Sequence, residues 1–134
     1  MACRVFLSEG HDYDGEIMQA AQYLRDQEIK GIPARGGASG QLTTDLYYTY
    51  YSTLAMFQLQ EEYWASWRTM FRDPLIEAQE KAQSDPAKRY IKGSWDPARD
   101  RWGSRAGRVY STAMALLSLE VQYRFIALYK RHER

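Results

Sequence analysis

The run Gly93-Ser94-Trp95-Asp96-Pro97 leads through Arg101-Trp102-Gly103 into Arg108-Val109-Tyr110-Ser111-Thr112-Ala113-Met114-Ala115-Leu116-Leu117-Ser118-Leu119-Glu120-Val121. A glycine-serine-tryptophan turn followed by a long, mostly apolar run free of glycine and proline predicts a helix that enters the core behind an indole. Upstream, Ile76-Glu77-Ala78-Gln79 closes another helical run. An order of helix, glycine-containing turn and buried helix requires helices packed on helices. No segment alternates apolar and polar residues over a useful length, so strands are not expected.

Residues 14–28 carry Ile17, Ala20, Ala21, Leu24 and Glu28 at spacings of three and four, which predicts a helix with one buried face and Asp14 as its N-cap. Gly31-Ile32-Pro33 ends it, and Gly36-Gly37-Ala38-Ser39-Gly40 reads as a flexible loop. Residues 43–60 form a second helix. Tyr47, Tyr51, Leu54, Ala55 and Gln58 fall on one side of it, and Asp45, Thr49, Ser52 and Met56 on the other. With Tyr48, Tyr50 and Phe57 on its flanks, this helix is central. Tyr63, Trp64, Trp67, Met70 and Phe71 continue at helical spacing until Asp73-Pro74. Proline disrupts a helix interior but suits a first turn, and aspartate caps well. The pair therefore predicts a break at 73 and a new helix over 74–83. A polar loop spans 84–105, and the last helix runs from about 106 to 130, with Leu116, Leu117, Leu119, Val121, Phe125, Ile126 and Leu128.

The order helix, loop, buried helix occurs twice. Tyr51-Ser52-Thr53 returns as Tyr110-Ser111-Thr112, 59 residues later. In that register Asp45, Thr49, Ser52 and Met56 match Ser104, Arg108, Ser111 and Ala115, a small or polar stripe beside an apolar one. The chain thus reads as a single domain, 1–134, of two helical-hairpin repeats, about 12–60 and 61–130. Two hairpins leave inner faces uncovered, which predicts a homodimer or another protein partner, with Tyr47, Tyr51 or Leu117 near the contact.

Composition narrows the function. A net charge of +1 gives no electrostatic case for nucleic acid or an anionic membrane. One cysteine, Cys3, excludes an intrachain disulfide and suits a cytoplasmic setting. No run reaches the roughly 18 apolar residues of a membrane span, and the N-terminus lacks a signal-peptide pattern. Cys3, His11 and His132 are the only soft ligands, and their spacing fits no zinc pattern. No nucleophile elbow or P-loop is present. No cofactor and no catalytic residue is expected.

Three segments carry a resemblance: Cys3-Arg4-Val5-Phe6-Leu7; Thr44 to Gln58; and Gly93-Ser94-Trp95-Asp96-Pro97 with the last helix. Together they resemble the C-terminal part of bacterial proteins built from prenyltransferase and squalene-oxidase repeats. The resemblance implies an all-α arc of an α/α toroid. In it, 43–60 and 106–130 are inner helices and 14–28 and 74–83 outer ones. Gln79, Gly93, Trp95 and Trp102 belong to the turn that joins outer to inner. The Asp-x-Asp-Asp motif of squalene cyclases is absent, as is the zinc set of protein prenyltransferases. The implied function is a non-catalytic repeat module for protein interaction or self-assembly. The alternative is a degenerate module that binds an apolar isoprenoid. Asp45, Tyr47, Tyr48, Tyr51, Tyr110 and Leu117 are the candidate ligand or interface residues. For Asp45 the sequence leaves open a cap or a cavity-facing group; for the tyrosines, cavity lining or ordinary packing.

Overall fold

The computed structural model describes residues 14–26, 45–81 and 85–125. Cys3, His11, the glycine loop 36–40, residues 126–130 of the expected last helix and His132 lie outside the described residues. The protein is all-α, with no strand among the described residues. Four α-helices are α1 (Asp14–Asp26), α2 (Leu46–Leu59), α3 (Glu61–Glu77) and α4 (Gly103–Arg124). No described helix is long and apolar enough to cross a membrane.

The centre is α2, which packs against α1, α3 and α4. It buries Leu46, Thr49 and every residue from Ser52 to Leu59. Its start is fixed by Asp45, whose Oδ1 accepts the Tyr48 N–H at 2.9 Å, one of the four donors a helix N-terminus leaves free. Its end is fixed by Gln60. This residue adopts a left-handed φ of 55° and bonds the Phe57 carbonyl with both its backbone N–H and its side-chain amide. The sharp turn brings α3 straight back onto α2. Trp67, fully buried, donates its indole N–H to Thr53 Oγ1 at 2.9 Å. Ile17, Ala21 and Leu24 are the stripe that α1 buries, and they share one core cluster with Leu59, Tyr63, Trp67 and Phe71.

The expected break at Asp73 is not found. The helix α3 continues through Pro74 to Glu77. Trp67, Phe71 and Leu75 are all buried, four residues apart, so the stripe crosses the proline unbroken. Burying Leu75 contributes about 1.5–3 kcal/mol, comparable to the ~3 kcal/mol that an interior proline costs. A site in the last turn also leaves few hydrogen bonds beyond it to disturb. A separate helix over 74–83 therefore does not form, and Gln79 follows α3 rather than closing another helix.

The expected loop 84–105 holds two 3-10 turns, Pro86–Ile91 and Pro97–Arg99. Each begins at an Asp-Pro pair. Asp85 accepts the Ala87 N–H at 2.9 Å and Asp96 the Ala98 N–H at 3.0 Å. The same dipeptide that fails to start a helix at 73 succeeds twice where no buried stripe runs across it.

The last helix also departs from expectation. It starts at Gly103 and ends at Arg124, with Phe125 extended. Gly107, at φ 82° and ψ 178°, interrupts its first turns. Beyond Gly107, α4 buries Ser111, Ala115, Ser118 and Val121, while Val109, Leu116 and Tyr123 are exposed. It is therefore not buried on most sides, and is no more enclosed than α1. The small stripe is the one that meets the core, since α2 is its main helical neighbour.

Candidate functional site: an aromatic cleft beside a braced turn

The turn between α3 and α4 is held from both sides. Gln79 Nε2 donates to the Gly93 carbonyl at 2.8 Å. Glu80 and Gly93–Ser94 exchange two backbone bonds of 2.8 Å. Gly93 supplies the left-handed φ of 81° that the reversal needs. Trp95, 4% exposed, donates its indole N–H to the Leu75 carbonyl at 2.8 Å, satisfying a group at the end of α3. Its backbone N–H reaches Thr112 Oγ1 at 3.3 Å. Arg108 clasps Ser94 Oγ at 3.1 Å and Asp96 Oδ1 at 3.7 Å. These bonds tie the turn to the end of α3 and the start of α4, so this region positions α4.

The open chemistry lies at the N-terminal ends of α2 and α4. One hollow of about 420 Å³ is lined by Tyr47, Trp102, Arg105, Ala106 and Tyr110. A second, of about 500 Å³, lies between α1 and α2, with Tyr23, Leu24, Asp45, Tyr48, Tyr51 and Ser52 in its walls. Tyr47 and Trp102 line both hollows, making one aromatic cleft. Tyr47 packs on Tyr51 at 4.6 Å between ring centroids, and Tyr51 on Tyr50 at 5.2 Å.

Two carboxylates brace the floor. Asp45 caps α2 and pairs with Arg101 at 3.5 Å. Arg101 in turn lies 5.2 Å from the Trp102 ring, an attraction between cation and ring face. Asp100 arrives from 54 residues downstream, and its Oδ1 accepts the Leu46 N–H at 2.9 Å. Its Oδ2 accepts the Trp102 N–H at 3.2 Å. Burial raises the Asp100 carboxyl above its ordinary value, against the pull of the N–H donors from Leu46 and Trp102. Burial likewise raises the Tyr48 and Tyr110 phenols. A hydrogen bond to Tyr51 raises Tyr47. Arg105 is the cation in the lining of the first hollow, and it has no carboxylate partner among the described residues.

Of the sequence candidates, Asp45, Tyr47, Tyr48, Tyr51 and Tyr110 gather at this cleft. Leu117 is half-buried on α4 and does not line it. Trp102, grouped by the sequence with the turn residues, stands 41% exposed in the cleft wall. Tyr23 and Asp100 were not among the candidates. Asp100 had a signal, an acidic residue three positions before Gly103, but the helix it caps is the distant α2. Among the described residues no group of His, Cys, Asp and Glu could hold a metal. Comparison with family models, curated proteins and solved structures returns no match for this chain.

Proposed function

We propose that the chain is a non-catalytic helical module whose aromatic cleft binds an apolar small molecule with an anionic end, of the isoprenoid type. This adopts the resemblance to prenyltransferase and squalene-oxidase repeats, with the N-terminal ends of α2 and α4, joined by α1, lining the ligand cavity. The observation that carries it is the wall shared by Tyr47 and Trp102, with Arg105 beside it. Hollows of about 420 and 500 Å³ suit a small ligand, for which sites run from about 300 to 1,000 Å³. That size favours a small molecule over a broad protein contact at this face. Both carboxylates are engaged by backbone N–H groups, which leaves ring faces and Arg105 to meet a ligand. Ring faces take the apolar body and Arg105 takes the anion.

Tryptophan fluorescence titrated with farnesol and with farnesyl diphosphate tests the reading. Saturable binding of the diphosphate is expected, weakened by about tenfold or more in Trp102→Ala. Arg105→Gln weakens the diphosphate and leaves the alcohol unchanged. Absence of saturation, or equal binding by Trp102→Ala and the parent, overturns it.

A further inference from the structure

Asp100 joins the two walls of the aromatic cleft through one buried side chain. Its Oδ1 accepts the N–H of Leu46, the residue before Tyr47, at 2.9 Å. Its Oδ2 accepts the N–H of Trp102 at 3.2 Å. Tyr47 and Trp102 are the residues that line both hollows, and Asp100 itself lies outside the lining of either.

The walls stand on different parts of the fold. Trp102 belongs with α4, since its carbonyl accepts the N–H groups of Arg105 and Ala106 at 3.1 and 3.0 Å. The Asp100 carbonyl accepts the Gly103 N–H at 3.1 Å, and Gly103 presses on the Pro97 backbone with no room for a Cβ. Pro97 to the first turn of α4 is therefore one packed unit, and Tyr47 faces it from α2. A second link at this end, the Arg101–Asp45 pair, spans 3.5 Å with the Arg101 side chain 65% exposed. Solvent screening and side-chain entropy leave such a pair little net strength. The buried carboxylate thus sets the spacing of the walls.

The residue type is specific to that task. A carboxylate accepts at both oxygens and presents no donor. Asparagine offers one oxygen and turns an amide N–H against the second backbone N–H. It can hold Leu46 or Trp102, but not both.

Resting on the reading of the cleft as a ligand site, we infer that Asp100 is its positioning residue, fixing the gap between Tyr47 and Trp102 so that the cleft is preset for an apolar body. Walls ordered before the ligand arrives need not be ordered by it, which raises affinity without a new contact. The effect falls on the apolar body of the ligand, whereas that of Arg105 falls on the anion.

The first arm titrates the full chain with farnesol and with farnesyl diphosphate by tryptophan fluorescence. Asp100→Asn weakens both by about tenfold, the scale expected when two ring side chains lose their preset places. In urea Asp100→Asn stays more stable than Asp100→Ala, yet it binds farnesol no better. Thr53→Val removes the acceptor of the buried Trp67 bond away from the cleft. It loses stability and keeps the parent affinity. The second arm needs no ligand. In chain labelled with fluorotryptophan, the Trp102 fluorine resonance, assigned by its loss in Trp102→Phe, moves in Asp100→Asn while those of Trp67 and Trp95 stay. A parent that binds neither probe sinks the ligand reading and this inference with it. With a parent that binds, parent-like farnesol affinity in Asp100→Asn sinks this inference alone. So does a loss confined to the diphosphate, an affinity order that tracks stability across the three variants, or an unmoved Trp102 resonance. Failure of both Asp100 variants to fold also overturns it, because the residue is then purely structural.

Discussion

Tyr51-Ser52-Thr53 on α2 and Tyr110-Ser111-Thr112 on α4 are one tripeptide in two settings. On both helices the tyrosine lines the aromatic cleft and the serine is buried. On both, the threonine hydroxyl accepts an N–H from a tryptophan residue, Trp67 for Thr53 and Trp95 for Thr112. The difference lies one turn upstream. Tyr48 continues α2, whereas Gly107 bends α4 out of the helical path. The backbone kink decides what the buried serine can reach. The tyrosines and threonines keep one role on both helices, whereas the serines part company: Ser111 Oγ has no hydrogen-bond partner.

The two tryptophans give the sharpest contrast. Truncating either leaves a large cavity, and Trp67→Ala and Trp95→Ala should each lose about 3–5 kcal/mol in denaturant titrations. Phenylalanine separates them. Trp67→Phe strands the Thr53 hydroxyl, which still donates to the Thr49 carbonyl at 2.6 Å. Trp95→Phe strands the Leu75 carbonyl at the helix end. The phenylalanine variant is therefore expected to be the more damaging at 95. Equal losses at the two positions would break the comparison.

Helix order, the centrality of α2 and most of the cleft tyrosines were legible because they follow from periodicity. Tyr47, Tyr48 and Tyr51 share one end of one helix, and no tertiary knowledge is needed to group them. Asp73-Pro74 was misread because a local rule met a longer-range one, the buried line through Trp67, Phe71 and Leu75. The burial of α4 was misread for a related reason. Both of its stripes are free of unpaired charge, and periodicity does not say which one meets the core. Leucines at 116 and 117 suggested the large side, whereas α2 receives the small one. Asp100 was illegible as a cap because its helix lies 54 residues away in sequence.

Asp100 offers the next largest effect. Asp100→Ala leaves the Leu46 and Trp102 N–H groups without an acceptor and should cost about 1–3 kcal/mol. Asp100→Asn keeps one acceptor and loses less. The pH dependence has a definite sign. The folded-state pKa is raised, so the stabilising contribution is fully present below the unfolded value and is lost as pH rises through the folded one. The melting temperature of the parent relative to Asp100→Asn should therefore fall as pH rises through that window. A rise there would assign net control to the N–H donors instead of burial.

Gly107 is smaller in effect and tests the kink itself. An added Cβ would meet nothing within 4 Å, so only the backbone conformation resists substitution. Gly107→Ala should cost about 1–2 kcal/mol. Because a straightened α4 would restore the carbonyl for Ser111, the loss should shrink if the helix relaxes. Chemical denaturation, with amide exchange at residues 108–112, reads both outcomes.

The smallest prediction is one of sign. A buried helical hydroxyl finds the carbonyl four residues earlier, as Ser118 does with Met114 at 2.8 Å. For Ser111 that carbonyl belongs to Gly107, and the Ser111 Oγ has no hydrogen-bond partner although it is fully buried. Ser52, its counterpart on α2, is less completely enclosed, and its hydroxyl is not left buried without a partner. Removing an unsatisfied hydroxyl relieves its desolvation, whereas removing a satisfied one forfeits a bond. Ser111→Ala should therefore stabilise the fold by about 1 kcal/mol, and Ser52→Ala should destabilise it by a similar amount. Both variants fill nearly the same volume as the parent, so cavity terms are small and the comparison isolates the hydrogen bond. Urea midpoints of the two variants moving in the same direction would show that the kink at Gly107 does not set the fate of Ser111.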